Sequence, residues 1–138
     1  MNLTLAEEQN WLIEQARTVA HHAYAPYSNF HVGCCVLYEN GDYFLGCNVE
    51  NASYGLSLCA ERNALSTAVA AGETVPIRSI TIVSLEKKMC LPCGACRQWL
   101  HEFASRNKQN INVIVEDEQG LPIMFHCSDL LPKAFDIE

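Results

Sequence analysis

The residues of this chain best equipped for chemistry sit in two short stretches, Cys59-Ala-Glu-Arg62 and Pro92-Cys-Gly-Ala-Cys-Arg97. The first sets a carboxylate two residues after a thiol, and the second spaces two thiols by two residues. Cys59, Cys93 and Cys96 together offer the three thiolates that hold a catalytic zinc while its fourth position stays open for water. Glu61 is near enough to serve that water as a proton carrier. It is too close to Cys59 in sequence to become an easy fourth ligand.

Either stretch alone is a weak signal. Cys-x-x-Cys at a helix start also marks redox dithiols and structural zinc sites, and a first-turn glutamate is often there for the helix dipole alone. The pair is stronger, because each stretch falls at an expected helix start and one helix-loop-strand unit separates them. Zinc deaminases carry this arrangement, with His or Cys first, a nearby Glu as acid and base, and Pro-Cys-x-x-Cys later. In that chemistry Glu61 takes a proton from the water and delivers protons to a ring nitrogen and a departing amine. Three thiolates carry more negative charge than zinc neutralises. Two helix N-termini aimed at the metal offset part of the excess, and Arg62 is the natural donor to a thiolate from outside the ligand set. Cys90 leaves an alternative open, since Cys90-x-x-Cys93-x-x-Cys96 could bring a fourth sulfur and close a purely structural site. Its place before Pro92 would require the chain to fold back.

The elements that must position these groups follow from periodicity and turn signals. Thr4-Leu-Ala-Glu7 reads as a capping box opening a helix whose apolar face is Leu12, Ala16, Val19, Ala20 and Ala23, ending before Pro26. Val32 to Tyr38 and Tyr43 to Val49 read as a hairpin around Asn40-Gly41, with both turn residues in the left-handed region. A helix from about Leu58 to Ala71, stopped by Gly72, buries Ala64, Leu65, Ala68 and Val69. Ile80 to Leu85 is an expected strand. Gly94 to about Ser105 is a helix with Trp99, Leu100 and Phe103 inward, and Ile111 to Val115 is a strand. Leu121 to Phe125 is an edge strand because of Pro122, followed by a helical turn at Asp129 to Leu131. The order predicts an α/β fold, a three-layer α/β/α sandwich around a mixed, roughly five-stranded sheet, in one domain spanning residues 1–138. Ligands of such sheets collect beyond the carboxyl ends of strands, where both thiol stretches fall.

Composition narrows the partners. The chain has 138 residues, 49% of them hydrophobic, and a net charge of −7 with its few basic residues scattered. An anionic polymer finds no basic footprint here, which argues against nucleic acid. No apolar run is long enough for a membrane span, and the opening residues lack the pattern of a secretory signal. A neutral small molecule and a reducing cytoplasm are the expectations. The eight cysteines then read as free thiols.

The motifs resemble those of the cytidine deaminase family, in its short-chain, three-cysteine branch. The likeness runs from Ala23-Tyr-Ala-Pro-Tyr-Ser28 to Leu130-Leu-Pro-Lys-Ala-Phe135. It is carried by Phe30-x-Val-Gly33, Gly46-Cys-Asn-Val-Glu-Asn51, Cys59-Ala-Glu-Arg62 and Pro92-Cys-Gly-Ala-Cys-Arg-Gln98. The resemblance implies hydrolysis of the 4-amino group of cytidine and deoxycytidine, a pyrimidine-salvage reaction, with one zinc on Cys59, Cys93 and Cys96 and Glu61 as shuttle. It further implies that Asn48 and Glu50 hold the ribose 3′-hydroxyl, and that Phe30 and Phe135 pack on the base with Tyr54 at the rim. Backbone groups of Ala60 and of the Pro92-Cys93 turn would read the ring. It also implies a homotetramer in which the C-terminal aromatic enters a neighbour's site. Leu91, Asn63 and Ser57-Leu58 depart from the family's usual residues and bear on the shape of the base pocket. The rivals are a deaminase of blasticidin S or of a modified cytosine nucleoside, and a non-catalytic zinc-stabilised binding protein with Cys90 as fourth ligand.

Overall fold

The structure is a computed structural model and describes residues 2–137; Met1 and Glu138, at the two ends of the expected domain, lie outside it. Helix α1 (Leu5–Ala20) opens on the expected capping box. The Glu7 amide donates to the Thr4 hydroxyl at 3.2 Å, and the Thr4 amide donates to the Glu7 carboxylate at 3.4 Å. The helix stops at Ala20, short of the expected end, because the following chain is drawn into extended pairing. The Tyr24 amide donates to the Asn48 carbonyl and the Glu50 amide to the Tyr24 carbonyl, both at 2.9 Å.

Strands β1 (Val32–Tyr38) and β2 (Tyr43–Cys47) form the hairpin. Only Gly41 takes the left-handed conformation (φ 91°). Asn40 instead accepts a hydrogen bond from the Asp42 amide at 3.0 Å, the short-range bonding that makes Asn a turn residue without positive φ. Helix α2 (Ala60–Ala70), strand β3 (Ile77–Ser84), helix α3 (Gly94–Asn107), strands β4 (Asn112–Glu116) and β5 (Pro122–His126) and the short helix α4 (Cys127–Leu130) complete the chain. Apart from the early end of α1, boundaries move by up to three residues from the sequence expectation.

The sheet order is β2-β1-β3-β4-β5. Only β3 and β4 run parallel; the other neighbours are antiparallel. The parallel pair is the one joined through a helix, as chain geometry requires. Alternation of side chains divides the core into two layers. Cys35, Leu37, Val83 and Ile114 face Leu12, Ile13 and Ala16 of α1. Cys34, Val36, Ile80, Ile82, Val113 and Val115 face Ala60, Ala64, Leu65 and Ala68 of α2 and Leu100 of α3. The mixed five-stranded, three-layer α/β architecture expected from sequence is the one observed.

Two side chains expected inside lie outside. Val69 is 55% exposed and Trp99 is 38% exposed. Helix α2 buries the stripe through Ala60, Ala64, Leu65 and Ala68, and α3 buries Cys96 and Leu100; Val69 and Trp99 sit about a quarter-turn beyond those stripes. The helices lie unusually close to the sheet at two glycines. A Cβ on Gly33 would meet the Ala16 carbonyl at 1.9 Å, and one on Gly46 would meet the Ala64 amide at 2.4 Å. Glycine at Gly46 thereby sets the depth of α2 and of the residues at its start.

Candidate active site

The two thiol stretches converge because both helices begin at a cysteine. Cys59 is the N-cap of α2 and Cys93 the N-cap of α3, each in extended backbone conformation and with no side-chain capping bond. Both sulfurs are thus free for another use. Helix α2 starts two residues later than the sequence predicted, and this shift is what gives Cys59 the cap position. Cys96 lies in the first turn of α3, buried. The sulfurs of Cys59, Cys93 and Cys96 all lie within 4.8 Å of one another, and those of Cys59 and Cys93 are 3.8 Å apart. Two sulfurs on a tetrahedral zinc, each at about 2.3 Å, stand roughly 3.8 Å apart. The donor set fits that metal.

Charge around Cys59 is arranged to favour its thiolate. The Arg62 guanidinium donates to the Cys59 sulfur and to the Ser57 carbonyl, both at 3.5 Å. Its Nε is buried without a partner, leaving a donor of the same group uncommitted. The Cys96 thiol, hydrogen-bonded to Cys59, and the Arg62 guanidinium pull the Cys59 thiol down to about 5 against the opposing effect of burial. Cys96 is raised in turn, by that same bond and by burial. Glu61 is only 4% exposed, and burial pushes its carboxyl up to about 7, with the Cys59 thiolate adding to the rise. An acid of that pKa can both accept and deliver a proton near neutrality.

Cys90 does not belong to the cluster: among the described residues the metal-competent group consists of Cys59, Cys93 and Cys96. Cys90 packs against the main core, and burial holds its thiol up at about 11. The closed four-sulfur site is not what the chain builds.

The other residues singled out from sequence fall in three places. Phe30 is half-buried against the main core. Asn48 binds the backbone on either side of His31: its Nδ2 donates to the Phe30 carbonyl at 2.8 Å and its Oδ1 accepts from the Val32 amide at 2.9 Å. Glu50 accepts from the amides of Tyr27 and Ser28 at 3.0 and 3.1 Å and from the Ser28 hydroxyl, and that hydroxyl leads in holding its carboxyl below the usual range. Glu50, Tyr27, Ser28, Tyr54 and Ser57 line one open groove, with Tyr54 75% exposed and set edge-on to Tyr27. Ala60 is fully buried at the first turn of α2. Phe135 lies apart from these, 73% exposed, in a groove on α3 with Trp99 and Phe103. Its carbonyl accepts from the Gln98 side chain at 2.9 Å.

Sequence reasoning gave no role to two residues that hold the site in place. Arg97 donates from Nε to the Pro92 carbonyl at 2.7 Å and from Nη1 to the Leu130 carbonyl at 2.8 Å. It clamps the turn that carries Cys93 to the C-terminal segment, and its position five residues after Pro92 was the available signal. Asn63 donates to the Cys47 carbonyl at 2.8 Å, tying α2 to the end of β2.

Comparison with known proteins agrees with this geometry. Residues 6–111 match the family model for the cytidine and deoxycytidylate deaminase zinc-binding region. The chain is 39% identical to a cytidine deaminase of Halalkalibacterium halodurans, covering 95% of this chain and 96% of that protein. It is 36% identical to one of Mycobacterium tuberculosis, over 94% and 90%. Among solved structures, a cytidine deaminase from Burkholderia pseudomallei superposes with a TM-score of 0.83 at 44% identity, covering 96% of this chain and all of that one. The Mycobacterium tuberculosis structure gives 0.77 at 34% identity, over 93% and 97%. With three thiols at zinc spacing around a buried glutamate and relatives alike over nearly their whole length, the chain belongs to the cytidine and deoxycytidylate deaminase family.

Proposed function

We propose that the chain is a zinc-dependent enzyme that hydrolyses the 4-amino group of cytidine and deoxycytidine, releasing uridine or deoxyuridine and ammonia. The observation that carries the reading is the meeting of three thiols within 4.8 Å of one another, two of them at the spacing of tetrahedral zinc ligands, with a buried carboxyl raised to about 7. Cys59, Cys93 and Cys96 would hold the zinc. When bound, it supplies Lewis-acid activation of a water. Glu61 would receive a first proton, from the water, at its carboxylate and pass it to the pyrimidine N3, then receive a second, from the hydroxyl added at C4, and pass that one to the leaving amine. Its burial excludes competing solvent and keeps its basicity high enough for the first transfer. Arg62 lowers the charge left on the sulfurs.

The groove of Glu50, Tyr54 and Ser57 is the proposed sugar side of the site, with Asn48 and Glu50 holding the ribose hydroxyl. Asn48 keeps one N–H and Glu50 keeps acceptor capacity beyond the bonds described. A carboxylate there suits a hydroxyl and repels a phosphate, which supports a nucleoside over a nucleotide. Phe30, and Phe135 from a neighbouring copy, would flank the base, with the Ala60 and Pro92-Cys93 backbone reading its edge. A homotetramer with shared sites, a cytoplasmic location and a role in pyrimidine salvage complete the proposal. The exposed Phe135 supports the shared site, since its own chain leaves the ring uncovered. No helix among the described residues is long and apolar enough to cross a membrane.

The test is turnover. Purified protein is incubated with cytidine and with deoxycytidine while ammonia and the loss of cytosine absorbance are followed, beside Glu61→Gln with its zinc content measured. Conversion by the wild type and none by the zinc-loaded variant is the expected result. A zinc-loaded wild type that leaves both nucleosides intact overturns the substrate assignment.

A further inference from the structure

The loop that delivers Cys93 is irregular from Glu86 to Leu91 and stands between β3 and the start of α3. Its middle is held from one residue of β4. The Met89 amide donates to the Glu116 carbonyl at 2.9 Å, and the Lys88 ammonium donates to the Glu116 carboxylate at 3.3 Å. Glu116 is only 5% exposed. A second cation, Arg17 of α1, meets the same oxygen at 2.6 Å. A buried carboxylate is tolerated only when paired and hydrogen-bonded, and here the two partners come from the opposite helix layer and from the loop. Met89 itself has φ 51°, a backbone conformation that a side chain this bulky holds only where its surroundings over-determine it. Leu91 then bonds back to the Met89 carbonyl at 3.0 Å, one residue before Pro92.

We propose that Glu116 is a positioning residue for the metal-binding turn: it fixes Lys88 and Met89, and through them the path of the chain into Pro92-Cys93. The inference rests on the proposed zinc site for its consequence but on the loop's own bonds for its geometry. Removing the Glu116 carboxylate releases Lys88 and leaves the Met89 backbone bond and the Arg97 clamp on Pro92 to hold the Cys93 arm alone, so the predicted defect is a looser, not a lost, grip on metal. Arg17 and Lys88 are both partly exposed and can resolvate, so Glu116→Gln is expected to fold.

The experiment compares wild type, Lys88→Met, Glu116→Gln, the double variant and the exposed neighbour Glu118→Gln. One readout is the rate of zinc release to a chromophoric chelator. The other is hydrogen exchange at the Met89 amide, in zinc-loaded and in metal-free protein. Losing an outer partner of a metal site costs roughly 10- to 100-fold in affinity, and an anchor acting through a loop should cost less. Zinc release about three- to tenfold faster is expected for Lys88→Met and Glu116→Gln, with faster Met89 exchange in both forms. Glu118→Gln should match wild type, and the double variant should release zinc no faster than Glu116→Gln alone. Wild-type release and wild-type Met89 protection in both single variants overturn the proposal, as does a double variant whose effect is the product of the two. Should the wild type take up no zinc, the metal assignment fails, and Met89 exchange in the metal-free series still decides the loop.

Discussion

Glu61→Gln should change the pH dependence of stability in the metal-free protein. In the fold the carboxyl is held at about 7, chiefly by burial, against an ordinary value of 4.5. Below pH 4.5 it is protonated in both folded and unfolded chains and contributes nothing. Between pH 4.5 and 7 the unfolded chain releases its proton while the folded chain keeps it, so stability falls as pH rises. The full difference amounts to about 3 kcal/mol once pH exceeds 7. Glutamine has no such titration. Cys59 titrates in both proteins, so subtracting one curve from the other leaves the Glu61 titration together with its coupling to that thiolate. Thermal melts with a chelator and a reductant, from pH 4.5 to 8.5, should show the variant gaining on the wild type across that window. The expected gain in Tm is on the order of 10 °C, using the usual conversion for a chain of this size. A difference that stays flat with pH would refute the claim that burial keeps this carboxyl protonated, whatever the variant does to activity.

Three further outcomes follow from the geometry. Gly46→Ala drives a Cβ into the backbone of α2 and should cost about 3 kcal/mol, the upper end for overpacking, measured by urea unfolding, with loss of deaminase activity from the displaced start of α2. Arg62→Met removes a cationic partner of the Cys59 thiol, whose midpoint in metal-free protein should rise by about one pH unit, followed by thiolate absorbance. It should not return to the ordinary value, because the bond from Cys96 leads the causes. Cys90→Ala should bind one zinc per chain as wild type does, judged by metal analysis, with a packing cost of about 1 kcal/mol; lost stoichiometry would restore the four-sulfur alternative.

The layers of the fold were legible because they rest on periodicity: β1, apolar throughout, is buried on both faces, and the α1 capping box is spelled out in Thr4 and Glu7. The thiol cluster was legible because two signals, each weak alone, fall at two helix starts and point to one chemistry. The misplacements of Val69 and Trp99 have a common cause. An apolar residue beside a buried stripe looks inward in a linear sequence, and only the depth of helix packing decides its side. The end of α1 was obscured because Tyr24 leaves the helix for partners in Asn48 and Glu50, and such long-range pairing has no local signal. Glu116 and Lys88 were invisible for the same reason, as two ordinary charges 28 positions apart. Arg97 was the opposite case: it stood within a quoted motif, and only its two carbonyl partners reveal its function as a clamp.

Asn48 and Glu50 are each committed to the backbone around Phe30 and Ser28, whereas Tyr54 faces Glu50 across the groove from a short 3-10 turn. That asymmetry divides the groove into a welded wall and a free one. Variation at Asn48 or Glu50 would disturb the loop that also carries Phe30, so drift there is penalised before any new substrate can reward it. Variation at Tyr54 meets no such veto. On the proposed assignment of this groove to the sugar, evolvability of substrate preference is therefore concentrated at Tyr54 rather than at Asn51 or Ser57, whose side chains also bond backbone amides, and libraries aimed at altered nucleosides should start there.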